Sequence, residues 1–189
     1  MIRRFCSALA IALFASSAST HEIHYGESAV LSPYAPYSFL IGDWDVATAA
    51  NARPFVRLKY HWAPNRAYIE CGAYIGDAPH FEGMMMWNGV RHQLDVLLAT
   101  DMKHGLAQES GTAAIEGGAF VQNTLATYSA GVGADEHVAG VNGSTQRMRE
   151  IMRPVDANHI ALSFEVETST GWKPVMPGAD HLVMTRASD

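Results

Sequence analysis

Ten runs of strand length follow one another along most of the chain, and many of them alternate apolar with polar residues. A period of two indicates β-strands, because successive side chains of a strand point to opposite faces of a sheet. No window of the usual helical length shows apolar residues at the spacing i, i+3, i+4 and i+7. The sequence therefore predicts an all-β fold. The predicted strands are Phe39–Ala49, Phe55–Trp62, Arg66–Ile75, His80–Trp87, His92–Thr100, Leu106–Ile115, Phe120–Tyr128, Gln146–Val155, His159–Thr168 and His181–Arg186.

Segments rich in Gly, Pro, Asn and Asp separate these runs, and such residues favour turns. One of them, Asn88-Gly89, is a dipeptide typical of hairpins. Strands in series with short links form an antiparallel up-and-down sheet, and closure of that sheet removes its exposed edges. We therefore expect a single antiparallel up-and-down barrel of about ten strands over residues 38–189. Ala130–Ser144 and Gly171–Gly178 are expected to form loops at its rim.

The N-terminus has the pattern of a secretory signal peptide. Met1–Arg4 carries two positive charges, Phe5–Ala15 is almost entirely apolar, and small residues follow. The apolar run is too short to span a bilayer, which needs about 20 residues. We expect residues 1–18 to be removed and the mature protein to be periplasmic or extracellular, with no transmembrane segment. Residues 19–37, which include Pro33 and Pro36, are expected to form an extended lead-in, and one helical turn near Tyr37–Leu40 is an alternative at its end.

Charge and cysteine content exclude several classes of protein. The chain has 13 Lys and Arg residues against 19 Asp and Glu residues, with no basic cluster, so a nucleic-acid partner is not expected. Once the signal peptide is removed, Cys71 is the one remaining cysteine, and no intrachain disulfide can form. We expect Cys71 to be buried and inert.

The two ends of the strand series carry a further pattern. Gly42-Asp43-Trp44 opens the first strand, and Arg186 ends the last one. This arrangement resembles the calycin superfamily, the lipocalins and their relatives, and in particular bacterial secreted families of unknown function whose first strand carries Gly-x-Trp. The resemblance implies that Trp44 lies across the closed end of the barrel, with Gly42 beside it and Arg186 packed over the indole. The second Gly-rich half of the haem signature of nitrobindin-type relatives is missing after Trp44, and no cofactor is expected.

The parity of the strands predicts which residues line the interior. Charged residues such as Arg57 and Lys59 require solvent, so their neighbours Tyr60 and Trp62 should point inward. Arg147, Arg149 and Arg153 similarly predict an outer face that pairs with Glu165 and Glu167. The predicted ligand-binding lining is Tyr60, Trp62, Met85, Trp87, Met148, Glu150 and Phe164. Thioethers and aromatic rings form a pliable apolar surface for a ligand, but the same residues can fill a solid core.

Four polar residues are candidates for chemistry, and one of them is Glu150, which the parity of its strand directs inward. His80 and Glu82 lie two apart, and Glu70 belongs to the preceding strand. An imidazole beside a carboxylate in an apolar interior can transfer protons. The alternative is an exposed pair or a satisfied polar group of the core. No catalytic motif, nucleotide-binding pattern or triad appears in the sequence.

The mature N-terminus offers one candidate metal ligand. Cleavage after Ala18 would place His21 two residues behind a free amine, a spacing that suits square-planar Cu(II) or Ni(II). No other metal site is predicted.

Three functions remain open from the sequence. The barrel can bind a small apolar or amphipathic molecule, it can be an enzyme with a His/Glu proton-transfer centre, or it can be a ligand-free structural or interaction protein. Ligand identity and oligomeric state do not follow from the sequence.

Overall fold

A computed structural model describes residues 32–64, 66–102, 105–128 and 145–188. In these ranges the chain forms one 3₁₀-helix and eleven β-strands. All hydrogen-bonded neighbours among these strands are antiparallel. The predicted signal peptide (1–18), His21 and the predicted loop Ala130–Ser144 lie outside the described residues. The helix is Ser32–Leu40, and the strands are β1 (Gly42–Thr48), β2 (Asn51–Trp62), β3 (Ile69–Ile75), β4 (Ala78–Asn88), β5 (Gln93–Met102), β6 (Gly105–Glu116), β7 (Ala119–Tyr128), β8 (Thr145–Pro154), β9 (His159–Thr168), β10 (Gly171–Pro174) and β11 (Leu182–Arg186).

The strands close into an up-and-down barrel, as predicted. Each strand from β1 to β9 pairs with the next, and β11 pairs with both β9 and β1. The short strands β10 and β11 share the tenth position, because β10 pairs with Glu165–Thr168 of β9 and β11 pairs with His159–Leu162. The barrel therefore has ten strand positions and eleven strand segments.

The prediction of a loop over Gly171–Gly178 is wrong in its first half. Gly171–Pro174 forms β10 and extends the ladder of β9. Gly171 has a φ of 104°, which turns the chain back onto β9, and the Thr168 hydroxyl donates a hydrogen bond to the Gly171 carbonyl oxygen. A strand of four residues is too short to show alternation in the sequence.

The described part of the predicted lead-in, residues 32–37, is not extended, because residues 32–40 form the 3₁₀-helix. The φ that proline imposes suits this helix, and Tyr34, Tyr37 and Leu40 follow at its period of three. All three side chains are buried. The Tyr34 hydroxyl donates to the Ala67 carbonyl oxygen at 2.6 Å and accepts from the Trp87 backbone N–H at 2.9 Å. The helix therefore covers one end of the barrel.

Arg186 packs over Trp44 at the covered end, which is the contact that the resemblance implied. The guanidinium carbon lies 4.3 Å from the centroid of the indole ring, and Nη1 donates to the Ile41 carbonyl oxygen at 3.0 Å. The Trp44 indole N–H donates to the Leu40 carbonyl oxygen at 2.7 Å. Gly42 has a φ of 133°, which residues with a side chain rarely adopt, and a Cβ there would also displace the guanidinium. These contacts join the first strand, the last strand and the helix.

The two faces of the sheet follow the predicted parity. On the outer face, Arg57 pairs with Asp45 at 2.8 Å and Arg147 with Glu167 at 3.7 Å, and Arg149 pairs with Glu165. The inner face carries the core. Its largest fully buried side chains are Trp44, Tyr60, Phe120, Leu40, Ile69, Met85, Leu94, Met152, Ile160, Met184 and Val46.

Candidate ligand-binding site inside the barrel

A group of four polar side chains lies on the inner face of the barrel, on β6, β7 and β8. Gln122 of β7 stands directly opposite Glu150 of β8 in the ladder. Thr124 is the next residue of β7 on the same face, and it contacts Glu109 of β6. We call Glu109, Gln122, Thr124 and Glu150 the inner polar cluster.

Hydrogen-bond acceptors exceed donors in the inner polar cluster. The Thr124 hydroxyl donates to Oε2 of Glu109 at 3.0 Å. Gln122 is 4% exposed, and its Oε1 is the one buried side-chain atom of the described chain that has no hydrogen-bond partner. No hydrogen bond joins the Glu150 carboxyl to any residue that the structure describes. The Gln122 oxygen and the Glu150 carboxyl therefore lack a hydrogen-bond donor.

Both carboxyl groups have raised pKa values. Burial, with a smaller contribution from the nearby charge of Glu109, raises the pKa of Glu150 from 4.5 to about 8. Burial also raises the pKa of Glu109, against the opposing effect of the Thr124 hydrogen bond. The two groups repel each other when both are ionised, and at neutral pH Glu150 holds its proton.

Tyr60 and Cys71 bring the opposite wall of the barrel close to Glu150. They are paired neighbours on β2 and β3. Burial, followed by the charge of Glu150, raises the pKa of the Cys71 thiol to about 12 and that of Tyr60 well above its usual value. The Tyr60 hydroxyl reaches the Met152 sulfur at 3.9 Å, so its ring crosses the interior from β2 to β8. Cys71 is buried, as predicted.

The predicted lining separates into two groups. Tyr60 and Met85 are buried, while Met148, Glu150 and Phe164 are half-buried on the inner face around the inner polar cluster. Trp62 and Trp87 instead lie under the 3₁₀-helix. The Trp62 ring meets the Tyr34 ring edge-on at 5.5 Å, and the Trp87 backbone N–H bonds to the Tyr34 hydroxyl.

The residues predicted as a proton-transfer centre do not lie inside the barrel. Cys71 and Gly83 occupy the inner positions of β3 and β4, so Glu70 and Glu82 point outward and are exposed. Glu82 accepts a hydrogen bond from the Tyr74 hydroxyl at 2.9 Å. His80 is half-buried where the β3–β4 register shifts. Glu70 and Glu82 border an open groove of about 540 Å³ on the outer face of the sheet.

Parity reasoning missed three members of the inner polar cluster, Glu109, Gln122 and Thr124. The inner positions of β6 carry small residues on either side of Glu109, so no stripe of bulky apolar residues marks that face in the sequence. On β7 the fully buried Phe120 fixes the inner positions, and Gln122 and Thr124 follow it at intervals of two. That apolar anchor was the available signal.

Within the described ranges, no three His, Cys, Asp or Glu residues are grouped to hold a metal ion. The one helix of these ranges falls short of the length and apolar character that a membrane crossing needs.

Comparison with known proteins adds no relative: the chain matches no protein-family model and no curated protein sequence. The resemblance to the calycin superfamily stays a prediction.

Proposed function

We propose that the barrel binds a small amphipathic molecule whose polar end lies at the inner polar cluster. The observation that carries this proposal is the buried Oε1 of Gln122, which has no partner and stands opposite Glu150. A buried acceptor without a donor destabilises a protein by about 1–3 kcal/mol. A ligand that donates a hydrogen bond at this point would remove that penalty.

The apolar part of the ligand would lie against Met148 and Phe164. Both residues flank the inner polar cluster, since Met148 is opposite Thr124 and Phe164 is opposite Glu150. The side chains of Met148, Glu150 and Phe164 lie on the inner face and each keep accessible surface. Inward-facing side chains with accessible surface border a space, and thioethers and rings adapt to ligands of several shapes.

The setting of this function is also a proposal. The charged, apolar and small-residue segments of residues 1–18 support export and removal of a signal peptide. Gly42, Trp44 and Arg186 at the covered end support a calycin-type barrel. The protein would then hold its ligand in the periplasm or outside the cell.

A fluorescent apolar probe tests the binding proposal. We expect N-phenyl-1-naphthylamine to bind saturably with one molecule per barrel. Met148→Trp fills the inner space and should weaken binding at least about tenfold. Leu125→Trp is the matched control, because Leu125 is exposed on the outer face of β7 and should leave affinity unchanged. Absence of saturable binding, or equal weakening in both variants, would contradict the proposal and favour a ligand-free barrel.

A second candidate is a proton-transfer enzyme, which the pKa of Glu150 near 8 favours. Its acid and base would be Glu150 and Glu109, instead of His80 with Glu82 or Glu70. Native mass spectrometry of the protein purified from the cells that produce it would identify a bound compound. Conversion of that compound by the wild type and not by Glu150→Gln would support the enzyme, whereas recovery of the unchanged compound from both would support carriage.

A further inference from the structure

The inner polar cluster contains no basic group to balance its carboxyls. Glu150 lies near Tyr60 of β2 and Cys71 of β3, stands opposite Gln122 of β7 and is close to Glu109. At the described positions of β2–β9, every Lys, Arg and His is directed to the outer face or lies at a strand end. The positive charge that would complement the carboxyls is therefore not supplied by these strands.

The geometry of the acceptors also restricts the head group. Side chains directly opposite in an antiparallel ladder have Cβ atoms about 4.5–5.5 Å apart, which applies to Gln122 and Glu150. Glu109 is joined to the same site through Thr124. A group between these side chains meets one amide oxygen and two carboxyls. A carboxylate there would add a third acid and would leave the Gln122 oxygen unpaired.

A primary ammonium fits this site, since it has three N–H donors, no acceptor and a positive charge. Resting on the proposed function, we propose that the ligand of the barrel is an alkylamine or a similar cationic amphiphile. Its ammonium group donates to Glu150, Gln122 and Glu109, and its chain lies along Met148 and Phe164. Because Glu150 is protonated at neutral pH, its ionisation on binding releases a proton to solvent.

Three probes with the same chain and different heads test this assignment. Decylamine, 1-decanol and decanoate would each compete with N-phenyl-1-naphthylamine at neutral pH. We expect decylamine to bind at least about tenfold more tightly than either of the others, because hydrogen bonds to charged groups are the stronger ones. Equal affinity of decylamine and 1-decanol, or tighter binding of decanoate, would overturn the inference.

Two variants locate the effect. Glu150→Gln should reduce decylamine affinity to that of 1-decanol while leaving 1-decanol unchanged. Glu116→Gln removes an exposed carboxyl at the end of β6 and should change neither. If Glu150→Gln fails to fold, Gln122→Met replaces it and should lower the preference for decylamine by the same mechanism. An unchanged preference in the folded variant would overturn the inference.

The outcomes separate the two proposals. If none of the probes binds, including N-phenyl-1-naphthylamine, the proposed function itself is wrong. If 1-decanol and N-phenyl-1-naphthylamine bind and decylamine gains nothing, the function stands and the cationic head group is wrong.

Discussion

Gln122 and Glu150 stand directly opposite each other on the inner face of β7 and β8, yet no hydrogen bond joins their side chains. A protonated Glu150 could donate to the Gln122 oxygen, which would satisfy both groups. In the structure the Gln122 oxygen has no donor, and a third group that donates there would satisfy it. We interpret this pair as the fixed part of a binding site.

The raised pKa of Glu150 predicts that stability falls as pH rises. Between its ordinary value of 4.5 and its folded value of about 8, the native state binds the proton that the unfolded chain releases. The stability that the protonated Glu150 contributes is fully present below the unfolded pKa and is lost as pH rises to the folded pKa. The free energy of unfolding falls over this range by up to about 1.4 kcal/mol per pH unit. Urea unfolding of the wild type and of Glu150→Gln across this range measures it. The wild type should lose stability relative to the variant as pH rises, and parallel curves would contradict the prediction.

Removal of the unpaired Gln122 oxygen should not destabilise the empty protein. Gln122→Met is close in size and takes away the buried acceptor, so we expect the free energy of unfolding to rise by about 1 kcal/mol. Asn123→Met, an exposed change at the next position of β7, should lie within about 0.5 kcal/mol of the wild type. A loss of more than about 1 kcal/mol in Gln122→Met would show that the amide supports the fold instead of a ligand.

The Tyr34 hydroxyl holds the 3₁₀-helix on the end of the barrel. Tyr34→Phe removes its bonds to Ala67 and Trp87 and leaves the Trp87 N–H without this acceptor. We expect the free energy of unfolding to fall by about 1–3 kcal/mol, measured by urea unfolding. Tyr68→Phe removes a half-buried hydroxyl elsewhere and should have a smaller effect. Equal effects would indicate that the helix is not held through Tyr34.

Arg186 should stabilise the barrel more than an arginine on the outer wall does. Arg186→Ala removes the contact with Trp44 and the hydrogen bonds to the Ile41 and Ala157 carbonyl oxygens. Because Arg186 is exposed, we expect a modest loss of about 1–2 kcal/mol in the free energy of unfolding. Arg153→Ala, on the exposed face of β8, should cost less than about 0.5 kcal/mol. Similar losses would contradict a closing role for Arg186.

Alternation was sufficient to predict most of the barrel. The charged neighbours of Tyr60 and the arginines of β8 place their own side chains in solvent, which fixes the parity of β2 and β8. Only the last turn of the covering helix was considered from the sequence, because a 3₁₀-helix has a period of three and does not show the α-helical spacing. Tyr34, Tyr37 and Leu40 show that period in the sequence.

The binding site was only partly predictable. Glu150 followed from the arginines on either side of it in β8, but no charged residue marks the outer face of β7. Glu82 was predicted to face inward because of its spacing to His80, whereas Gly83 occupies the inner position of β4. A His-x-Glu pattern fixes a shared face and does not say which face it is. Neighbouring strands decide that question.

The most direct test of the binding site is the pKa of the Glu150 carboxyl, measured by NMR titration of protein labelled with carbon-13 at its glutamate side chains. In the empty protein it should lie near 8. With decylamine bound, the ammonium charge should lower this pKa by at least about 1 unit, and bound 1-decanol should not. A Glu150 pKa that is normal in the empty protein, or that does not change when decylamine is bound, would contradict a cation-binding site inside the barrel.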